Sequence, residues 1–298
     1  MRIVISGAGG LVGRHLVPHL RGRGHTVLTL VRRPERSPEE IRWDPATGDL
    51  DPRRLAGVDA AVNLSGAGVG DKRWTDAYKR EILASRVDST RTLVSALLAQ
   101  PEPPRVLVNA SAIGAYGEGG DAVLDEDAPW GEDFLAGVVR RWEAATAPAE
   151  AAGIRVALAR TGLLADPDGG AFGRLLPLFK VGLGGRLGDG RAWWSLISRP
   201  DELAALTHLV EGDLAGPVNL VCPAPAHNAM VTRSLGAALN RPTVLAVPGP
   251  ALKLALGEFA ETVLASQRVV PARLLADGFT FTHADSAAVT GWLARAAA

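Results

Sequence analysis

The sequence has one cysteine, Cys222, among its 298 residues, which excludes an internal disulfide framework and suits a reducing compartment. Neither sign of charge is in excess. Lys+Arg and Asp+Glu number 32 each, so no overall field favours nucleic acid or an anionic membrane. No apolar run reaches membrane-spanning length, and we expect no signal peptide, because Met1-Arg2 leads straight into an apolar run typical of a core strand. We therefore expect a soluble cytoplasmic protein that acts on a small molecule, with no nucleic-acid or membrane partner.

Glycine, by contrast, is plentiful and regularly placed near the start of the chain. Gly7, Gly10 and Gly13 recur every third residue, directly after an apolar strand and at the start of an amphipathic helix. The first glycine permits a tight turn, the second lets the backbone approach a pyrophosphate, and the third lets the helix pack close to the strand. The free N–H groups at the start of that helix, around Leu11 and Val12, face the phosphates. This context predicts a dinucleotide-binding βαβ unit.

Strands and helices alternate through the first half of the chain. The near-continuous apolar runs are typical of strands buried on both faces of a parallel sheet. The alternation predicts an α/β fold with a Rossmann-type doubly wound parallel sheet. After the first strand, the predicted strands are Thr26–Val31, Glu40–Trp43, Asp59–Leu64, Arg105–Ser111 and Arg155–Arg160. The predicted helices run from Leu11 to about Arg23, from about Thr75 to Leu98 and over about Glu132–Ala152.

Glycine and proline become dense in the second half of the chain, most of all between Gly182 and Gly190. We predict that residues 1–162 form the cofactor-binding domain. Residues 163–298 are expected to form a smaller, partly discontinuous C-terminal substrate lobe, with some segments returning to the main sheet. Its predicted helices are Pro200–Glu211, Asn228–Leu239 and Pro250–Ala265.

The second predicted strand ends in two arginines, Arg32 and Arg33, with no carboxylate before Glu35. NAD sites usually have an acidic residue there that accepts the ribose 2′-OH, whereas arginine neutralises the 2′-phosphate of NADP. The sequence therefore favours NADP(H) over NAD(H), with both arginines as candidate phosphate ligands. The alternative is that they are solvated charges at the exit of a strand.

A series of short motifs follows in a specific order and spacing along the chain. They are Ser6–Gly13, Trp43–Pro45, Asn63–Gly66, Arg73–Trp74, Ser85–Val87, Ser111–Gly117, Trp142–Glu143, Arg160–Gly162, Gly182–Gly185, Ser266–Pro271 and Gly278–Phe279. Together they resemble the short-chain dehydrogenase/reductase superfamily, in its extended, sugar-nucleotide-epimerase-like branch. Within that branch, the chain resembles an atypical epimerase-like family that carries a C-terminal domain of unknown function, here about residues 245–298.

The resemblance implies a Rossmann-type core that binds NADP (NADPH) and a C-terminal lobe that covers the nicotinamide end. It also implies a set of cofactor-lining residues: Val31, Arg32, Leu64, Ser65, Glu81 and Arg86. The segment Leu64–Gly66 fits independently, because it follows a parallel strand at its carboxyl end, where such sheets bind ligands. Glu81 and Arg86 do not share a helix face, so an ordinary ion pair between them is not expected, and surface placement is the alternative.

The residues expected to carry out catalysis are missing. Extended reductases and epimerases use a tyrosine with a lysine four residues later, which lowers the tyrosine pKa, and a nearby serine or threonine. Neither Tyr78 nor Tyr116 is followed by such a lysine, and a motif anchored on Tyr116 puts Ala112 at the serine position. Ser111 and Tyr116 remain the candidate catalytic residues, with packing as the alternative for Tyr116. On the helix where the pair should lie, the positions hold Phe134 and Val138, or Leu135 and Val139.

Other polar clusters have simpler structural interpretations. His15 and His19 are spaced as a helical metal-ligand pair, but no third ligand is evident, so no metal site is predicted. The acidic run Asp125–Asp127 is interpreted as a solvated loop. In the family, a histidine and paired acids follow the tryptophan strand, whereas this chain has Leu196–Glu202, so any role of that histidine is lost or moved.

Two functions are compatible with these features. The first is an NADP(H)-dependent, epimerase-like oxidoreductase with a non-standard proton donor, since a reduced nicotinamide already carries the hydride. The second is a catalytically inactive NADP-binding sensor or interaction protein, favoured by the missing tyrosine–lysine pair. The glycine-rich loop of the C-terminal lobe favours a substrate pocket and thus the enzyme.

Overall fold

Fifteen strands make up one large sheet and four two-stranded ones in the computed structural model, which describes residues 1–298. The strands are β1 (Arg2–Ser6), β2 (Thr26–Val31), β3 (Glu40–Arg42), β4 (Ala60–Asn63), β5 (Val106–Ala112), β6 (Val123–Leu124), β7 (Arg155–Thr161), β8 (Leu163–Ala165), β9 (Gly185–Leu187), β10 (Trp193–Trp194), β11 (Leu196–Ser198), β12 (Gly216–Leu220), β13 (Ala226–His227), β14 (Leu245–Val247) and β15 (Arg268–Val269). Each predicted strand of the first half is present within one or two residues.

The large sheet has seven parallel strands in the order β12-β7-β5-β4-β1-β2-β3. The chain starts in the middle at β1, moves outward to β3, then returns to β4 and moves outward to β12. This order confirms the predicted doubly wound sheet. The direction reverses between β1 and β4, and ligands of such sheets bind at the carboxyl ends of the strands at this switch point.

Eleven α-helices cover the sheet and build the C-terminal lobe. They are α1 (Gly13–Gly22), α2 (Asp76–Leu98), α3 (Phe134–Ala144), α4 (Ala147–Ala151), α5 (Gly170–Lys180), α6 (Arg199–Glu211), α7 (Asn228–Ala238), α8 (Gly249–Leu256), α9 (Phe259–Leu264), α10 (Ala272–Ala276) and α11 (Ser286–Ala296). Thr75 caps α2, because its Oγ1 accepts a hydrogen bond from the Tyr78 N–H.

Two predicted helices are wrong as single helices. The segment predicted over residues 132–152 is divided into α3 and α4, because Pro148 has no N–H to continue the helical hydrogen bonds. The segment predicted over residues 250–265 is divided into α8 and α9. The break follows Gly257, whose φ of +64° ends α8 in a left-handed turn.

Alternation along β1 creates a core on each face of the sheet. Ile3 and Ile5 are buried against α1 and α6, and Val4 is buried on the opposite face against α2 and α4. This pattern follows from the twofold period of a strand, and it explains why three successive positions, Ile3 to Ile5, are all apolar.

The C-terminal half both completes the main sheet and forms its own small core. β12 pairs with β7 at the sheet edge, while α5, α7 and α11 bury a separate apolar cluster. Gln267 connects the two parts, because its amide donates to the carbonyl oxygens of Ile113 and Gly117 after β5. The predicted domain boundary at residue 162 stays a prediction. None of the helices combines the length and the apolar character needed to cross a lipid bilayer.

Candidate functional site

The loop between β1 and α1 needs its glycines for steric reasons. Gly7 has a φ of +69°, and a Cβ there would lie 2.7 Å from the carbonyl carbon of Leu64. A Cβ on Gly13 would lie 2.3 Å from the carbonyl oxygen of Gly7, so only glycine lets α1 approach β1 this closely. The N–H of Gly10 donates to the same carbonyl at 2.9 Å and closes the turn.

Backbone N–H groups at the start of α1 have no partner. Those of Leu11, Val12 and Gly13 donate to no acceptor within the protein. Unpaired N–H groups at a helix N-terminus, together with the helix dipole, attract an anion. A glycine turn with no side chains in the way and a set of free donors therefore fit a dinucleotide pyrophosphate.

Hydrogen bonds fix the segment after β4 at the switch point. Ser6 Oγ donates to Asn63 Oδ1 at 2.5 Å, and Ser65 Oγ donates to Ser6 Oγ at 3.0 Å. The Asn63 amide also donates to Asn109 Oδ1 at 2.7 Å. These bonds join the carboxyl ends of β1 and β4 to the middle of β5, and they hold Leu64 and Ser65 beside the glycine turn.

The two arginines after β2 have different environments. Both terminal nitrogens of Arg33 donate to the Glu40 carboxylate, at 2.5 and 2.7 Å, and this pairing lowers the pKa of Glu40 to about 2. Arg32 is exposed and makes no ion pair. Arg32 is therefore the arginine at this strand end whose charge is free to meet a phosphate, whereas Arg33 is held by a carboxylate.

Arg86 lies under the segment that follows β4. Its guanidinium donates to the carbonyl oxygens of Ala67 and Ile82, at 2.9 and 3.0 Å, and has no carboxylate partner. Burial lowers its pKa to about 10, so it remains charged at neutral pH. Glu81, in contrast, is exposed and forms a 3.3 Å ion pair with Lys72. Of the two predicted residues, Arg86 is the one whose charge is unpaired near the switch point.

Most of the predicted cofactor residues thus come together at the carboxyl edge of β1, β2 and β4. Arg86 joins them from α2, because a Cβ on Gly66 would lie 3.2 Å from its side chain. The predicted residues that are at least partly exposed along this edge are Gly7, Gly10, Leu11, Val12, Val31, Arg32, Leu64, Ser65, Gly66 and Arg86.

Ser111 and Tyr116 are both buried in one hydrogen-bond network. Ser111 Oγ donates to the Glu143 carboxylate at 2.5 Å, and Arg160 forms two 2.9 Å bonds with the same carboxylate. The Tyr116 hydroxyl donates to Asn219 at 2.7 Å and accepts from Arg160 at 3.0 Å. Burial raises the pKa of Tyr116, which keeps the phenol neutral. The network engages both candidate hydroxyls, and for Tyr116 this arrangement corresponds to the packing alternative.

The positions where the family has its proton-transfer residues are apolar. Ala112 ends β5 and is partly exposed, and Leu135 near the start of α3 is partly exposed as well. Val139, one turn later, is buried. The absent dyad is therefore not replaced by another ionisable side chain at the same places.

The sequence did not predict that several charged side chains are buried. Glu143 and Arg160 are 8% and 4% exposed and face each other from α3 and β7. An arginine within an apolar strand is the signal that points to a buried carboxylate partner. Glu126 was predicted in a solvated loop, which is wrong. It is 4% exposed, because its carboxylate accepts the N–H groups of Asn219 and Arg273.

His283 lies beside the end of β11. His283 Nδ1 lies 2.9 Å from Ser198 Oγ and 3.2 Å from Asp201 Oδ2. Asp201 also accepts the N–H groups of Thr282 and His283. The segment that contains His283 is thus bound to the end of β11 and the start of α6.

His15 has acidic neighbours that the sequence did not reveal. One ligand atom each from His15, Asp166 and Asp168 lies within 4.8 Å of the others. Arg199 Nη1 is between them, 3.0 Å from His15 Nε2, 3.2 Å from Asp166 and 2.8 Å from Asp168. A guanidinium already supplies the positive charge of this cluster.

Known proteins share both the sequence and the fold. Residues 3–161 match the NAD dependent epimerase/dehydratase family, and residues 247–289 match a domain of unknown function (DUF1731). The epimerase family protein Mb2239 of Mycobacterium bovis is 45% identical over 283 residues, covering 94% of this chain and 93% of its own.

Two solved structures are similar over nearly the whole chain. The human epimerase family protein SDR39U1 (isoform 2), crystallised with NADPH, has a TM-score of 0.90 and 32% identity, covering 99% of each chain. A nucleoside-diphosphate sugar epimerase from Corynebacterium glutamicum has a TM-score of 0.80 and 36% identity, covering 99% of this chain and 58% of its own. The resemblance inferred from the motifs is confirmed: this chain belongs to the NAD-dependent epimerase/dehydratase family and carries that C-terminal domain of unknown function.

Proposed function

We propose that this protein is an NADP(H)-binding, epimerase-like oxidoreductase that acts on a small molecule without a tyrosine–lysine pair. The observation that carries the proposal is the combination of free N–H groups at Leu11–Gly13 with an unpaired Arg32 at the end of β2. Pyrophosphate and 2′-phosphate are the two anionic groups of NADP(H), and each has a donor set of matching charge. The human relative's crystallisation with NADPH supports the same cofactor.

Each group of residues has a distinct part in binding. The N-terminus of α1 holds the pyrophosphate, and Arg32 holds the 2′-phosphate. Ser6 and Asn63 keep the backbone after β4 in place, and Arg86 adds a partly buried positive charge below it. When bound, the reduced nicotinamide supplies a hydride for a carbonyl substrate. The protein orients the substrate and excludes bulk water at the carboxyl ends of β5 and β7.

The paired arginines provide the test. Replacing Arg32 by alanine is expected to weaken NADPH binding by about 1.5–3 kcal/mol, the range of a hydrogen bond to a charged group, and to leave NADH binding nearly unchanged. Arg33→Ala is the matched control, since Arg33 is held by Glu40. Titration of cofactor fluorescence measures both affinities. An equal loss for NADPH and NADH in Arg32→Ala would remove the phosphate role.

The second candidate function is an NADP(H) sensor without catalysis. It is favoured by the apolar residues at the dyad positions and by the buried network that engages Ser111 and Tyr116. The two functions differ in the fate of the reduced cofactor. An enzyme oxidises bound NADPH when a suitable carbonyl compound from a broad panel is added, whereas a sensor binds it unchanged and alters only its own protection from proteolysis.

We also propose that the protein works in the cytoplasm. Cys222 is fully buried, and burial raises its pKa to about 12, so the thiol is inert and suits a reducing compartment. An Arabidopsis thaliana relative is described as chloroplastic. Cell fractionation of the tagged protein tests the compartment, and recovery outside the cytosolic fraction would contradict it.

A further inference from the structure

One buried carboxyl group has no part in the binding site described so far. Glu202, in the first turn of α6, is 2% exposed, and its Oε2 has no hydrogen-bond partner. Its Oε1 accepts a 2.8 Å hydrogen bond from Thr161 Oγ1. Burial raises the pKa of Glu202 to about 8, because the charged form loses its hydration. An acid in this state keeps its proton at neutral pH.

Thr161 connects this acid with the open edge of the sheet. It is the last residue of β7 and is partly exposed, as are Gly162 and Leu163 after it. Its register partner on β5 is Ala112, the residue at the family's serine position. Partners in a parallel ladder point to the same face and lie about 5 Å apart. The hydroxyl that is missing at position 112 is therefore present one strand away.

The protonation state of Glu202 decides what the Thr161 hydroxyl can do. An ionised carboxylate only accepts, so it occupies the single hydroxyl hydrogen of Thr161. A neutral carboxylic acid can instead donate its own proton to Thr161 Oγ1, which frees the threonine hydrogen for a ligand in the pocket. Together the two residues can donate a hydrogen bond into the pocket while a second proton stands behind it on Glu202.

We propose that Glu202 stores a proton behind the active site and passes it through the Thr161 hydroxyl to the substrate oxygen. The inference rests on the proposed oxidoreductase function. Thr161 is the residue that touches the substrate, and Glu202 is a positioning residue that acts through it. The pair takes the place of the absent tyrosine and lysine.

The transfer is balanced in atoms and electrons. As a carbonyl substrate gains a hydride from a reduced nicotinamide dinucleotide, its oxygen bonds the Thr161 hydroxyl proton. Thr161 Oγ1 in turn bonds the Glu202 proton, and Glu202 becomes a carboxylate. The carbonyl is reduced to an alcohol, and the two electrons come from the dinucleotide. Water that enters after product release returns a proton to Glu202 through the same hydroxyl.

No charged side chain competes for this proton. No ionisable residue on α6 or on the neighbouring α1 and β7 forms a hydrogen bond or ion pair with the Glu202 side chain. These ionisable residues are Arg14, His15, His19, Arg21, Arg155, Arg160, Arg199, Asp201, His208 and Glu211. The neighbouring β5, β8 and β11 have no ionisable side chains. Burial is the main cause of the raised pKa of Glu202, and the hydrogen bond from Thr161 acts in the opposite direction.

Infrared spectroscopy of the protein without cofactor tests the proton store directly. We expect the C=O stretch of a protonated carboxylic acid at pH 7, which is lost near pH 8 and is absent from Glu202→Gln. After transfer into D2O, this band shifts as the acid proton exchanges. Thr161→Val should slow the exchange by about tenfold or more, because exchange must then wait for local opening, whereas Thr161→Ser should exchange like the wild type.

Two results would overturn the proposal: no protonated band at pH 7, or equal exchange rates in Thr161→Val and wild type. If Thr161→Val does not fold, Thr161→Ala gives the same comparison. NADPH affinity, measured separately on the same proteins, reports on the proposed function. A wild type that fails to bind NADPH rejects that function, whereas the infrared result decides the proton route independently.

Discussion

Replacing Glu143 by glutamine should destabilise the protein far more than an exposed substitution of the same kind. The side chains of Glu143 and Arg160 are 8% and 4% exposed and share two 2.9 Å hydrogen bonds. Glutamine keeps the shape and an acceptor for Ser111 but removes the charge, so Arg160 is left buried without a counterion. Breaking a buried pair in this way costs about 3–5 kcal/mol.

Urea denaturation at pH 7, monitored by tryptophan fluorescence, measures the change in the free energy of unfolding. Thermal denaturation at the same pH measures the change in melting temperature. At roughly 2 °C for each kcal/mol, thermal unfolding should move down by about 6–10 °C. Glu81→Gln is the matched control, because the Lys72–Glu81 pair is 64% and 51% exposed and should be worth at most about 1 kcal/mol. A loss in Glu143→Gln no larger than in this control would refute the reasoning.

A triple substitution separates the charge from the packing. Combining Ser111→Ala, Glu143→Leu and Arg160→Met removes every polar group that the carboxylate holds, so no buried charge is left alone. Replacing a buried ion pair by apolar residues of similar volume is often neutral or stabilising. We expect the triple variant to regain most of the stability lost by Glu143→Gln. If the stability is not regained, the directional hydrogen bonds of the network, and not only the pairing of its charges, would be needed to hold α3 against the sheet.

Three further predictions concern other parts of the molecule. Between about pH 4.5 and 8, the free energy of unfolding should fall with rising pH by up to about 1.4 kcal/mol per unit, because Glu202 binds its proton more tightly when folded; Glu202→Gln should lack this slope in pH-dependent urea titrations. Gly13→Ala should destabilise the protein without cofactor in thermal unfolding, since its Cβ would lie 2.3 Å from a carbonyl oxygen, whereas Gly9→Ala has open space. Asp201→Ala should release the C-terminal segment, because two N–H groups lose their acceptor, and limited proteolysis should then cut near residue 283.

Each of these predictions has a result that contradicts it. Parallel pH slopes in Glu202→Gln and wild type would mean that Glu202 is ionised in the folded protein. Equal melting temperatures for Gly13→Ala and Gly9→Ala would mean that α1 can move away from β1 at little cost. Unchanged protease resistance in Asp201→Ala would place the anchoring of the C-terminus in apolar packing.

The local features of the fold were predictable from the sequence. Gly7, Gly10 and Gly13 belong to one short loop, so their steric roles follow from the local sequence. The apolar runs likewise predict strands of a buried parallel sheet. The helix predicted over residues 132–152 failed for a local reason as well, since Pro148 interrupts it. Structural elements that depend on residues close in sequence can therefore be predicted from the sequence, including the roles of individual glycines.

The contacts of the candidate site were less predictable, because they join residues distant in sequence. Arg32 and Arg33 look equivalent, and only the approach of Glu40 from the next strand distinguishes them. The hydroxyl of Tyr116 is engaged by Asn219, more than a hundred residues later in the chain. Spacing along the chain carries no information on such partners. Only an unusual residue type in an apolar strand, as at Arg160, hints that one exists.

The late return of β12 to the sheet has a consequence for how the chain is made. While the protein is being synthesised, β7 emerges as an edge strand, and its hydrogen-bonding partner follows only after β8 to β11 and α6. Until then the nascent chain exposes an unpaired, apolar edge of the kind that recruits other strands or chaperones. A chain that ends before residue 216 would contain the glycine loop between β1 and α1. It would lack β12, so β7 would remain an unpaired edge strand. The glycine loop that we propose binds the cofactor is therefore synthesised about 200 residues before the strand that protects the edge of the sheet from aggregation.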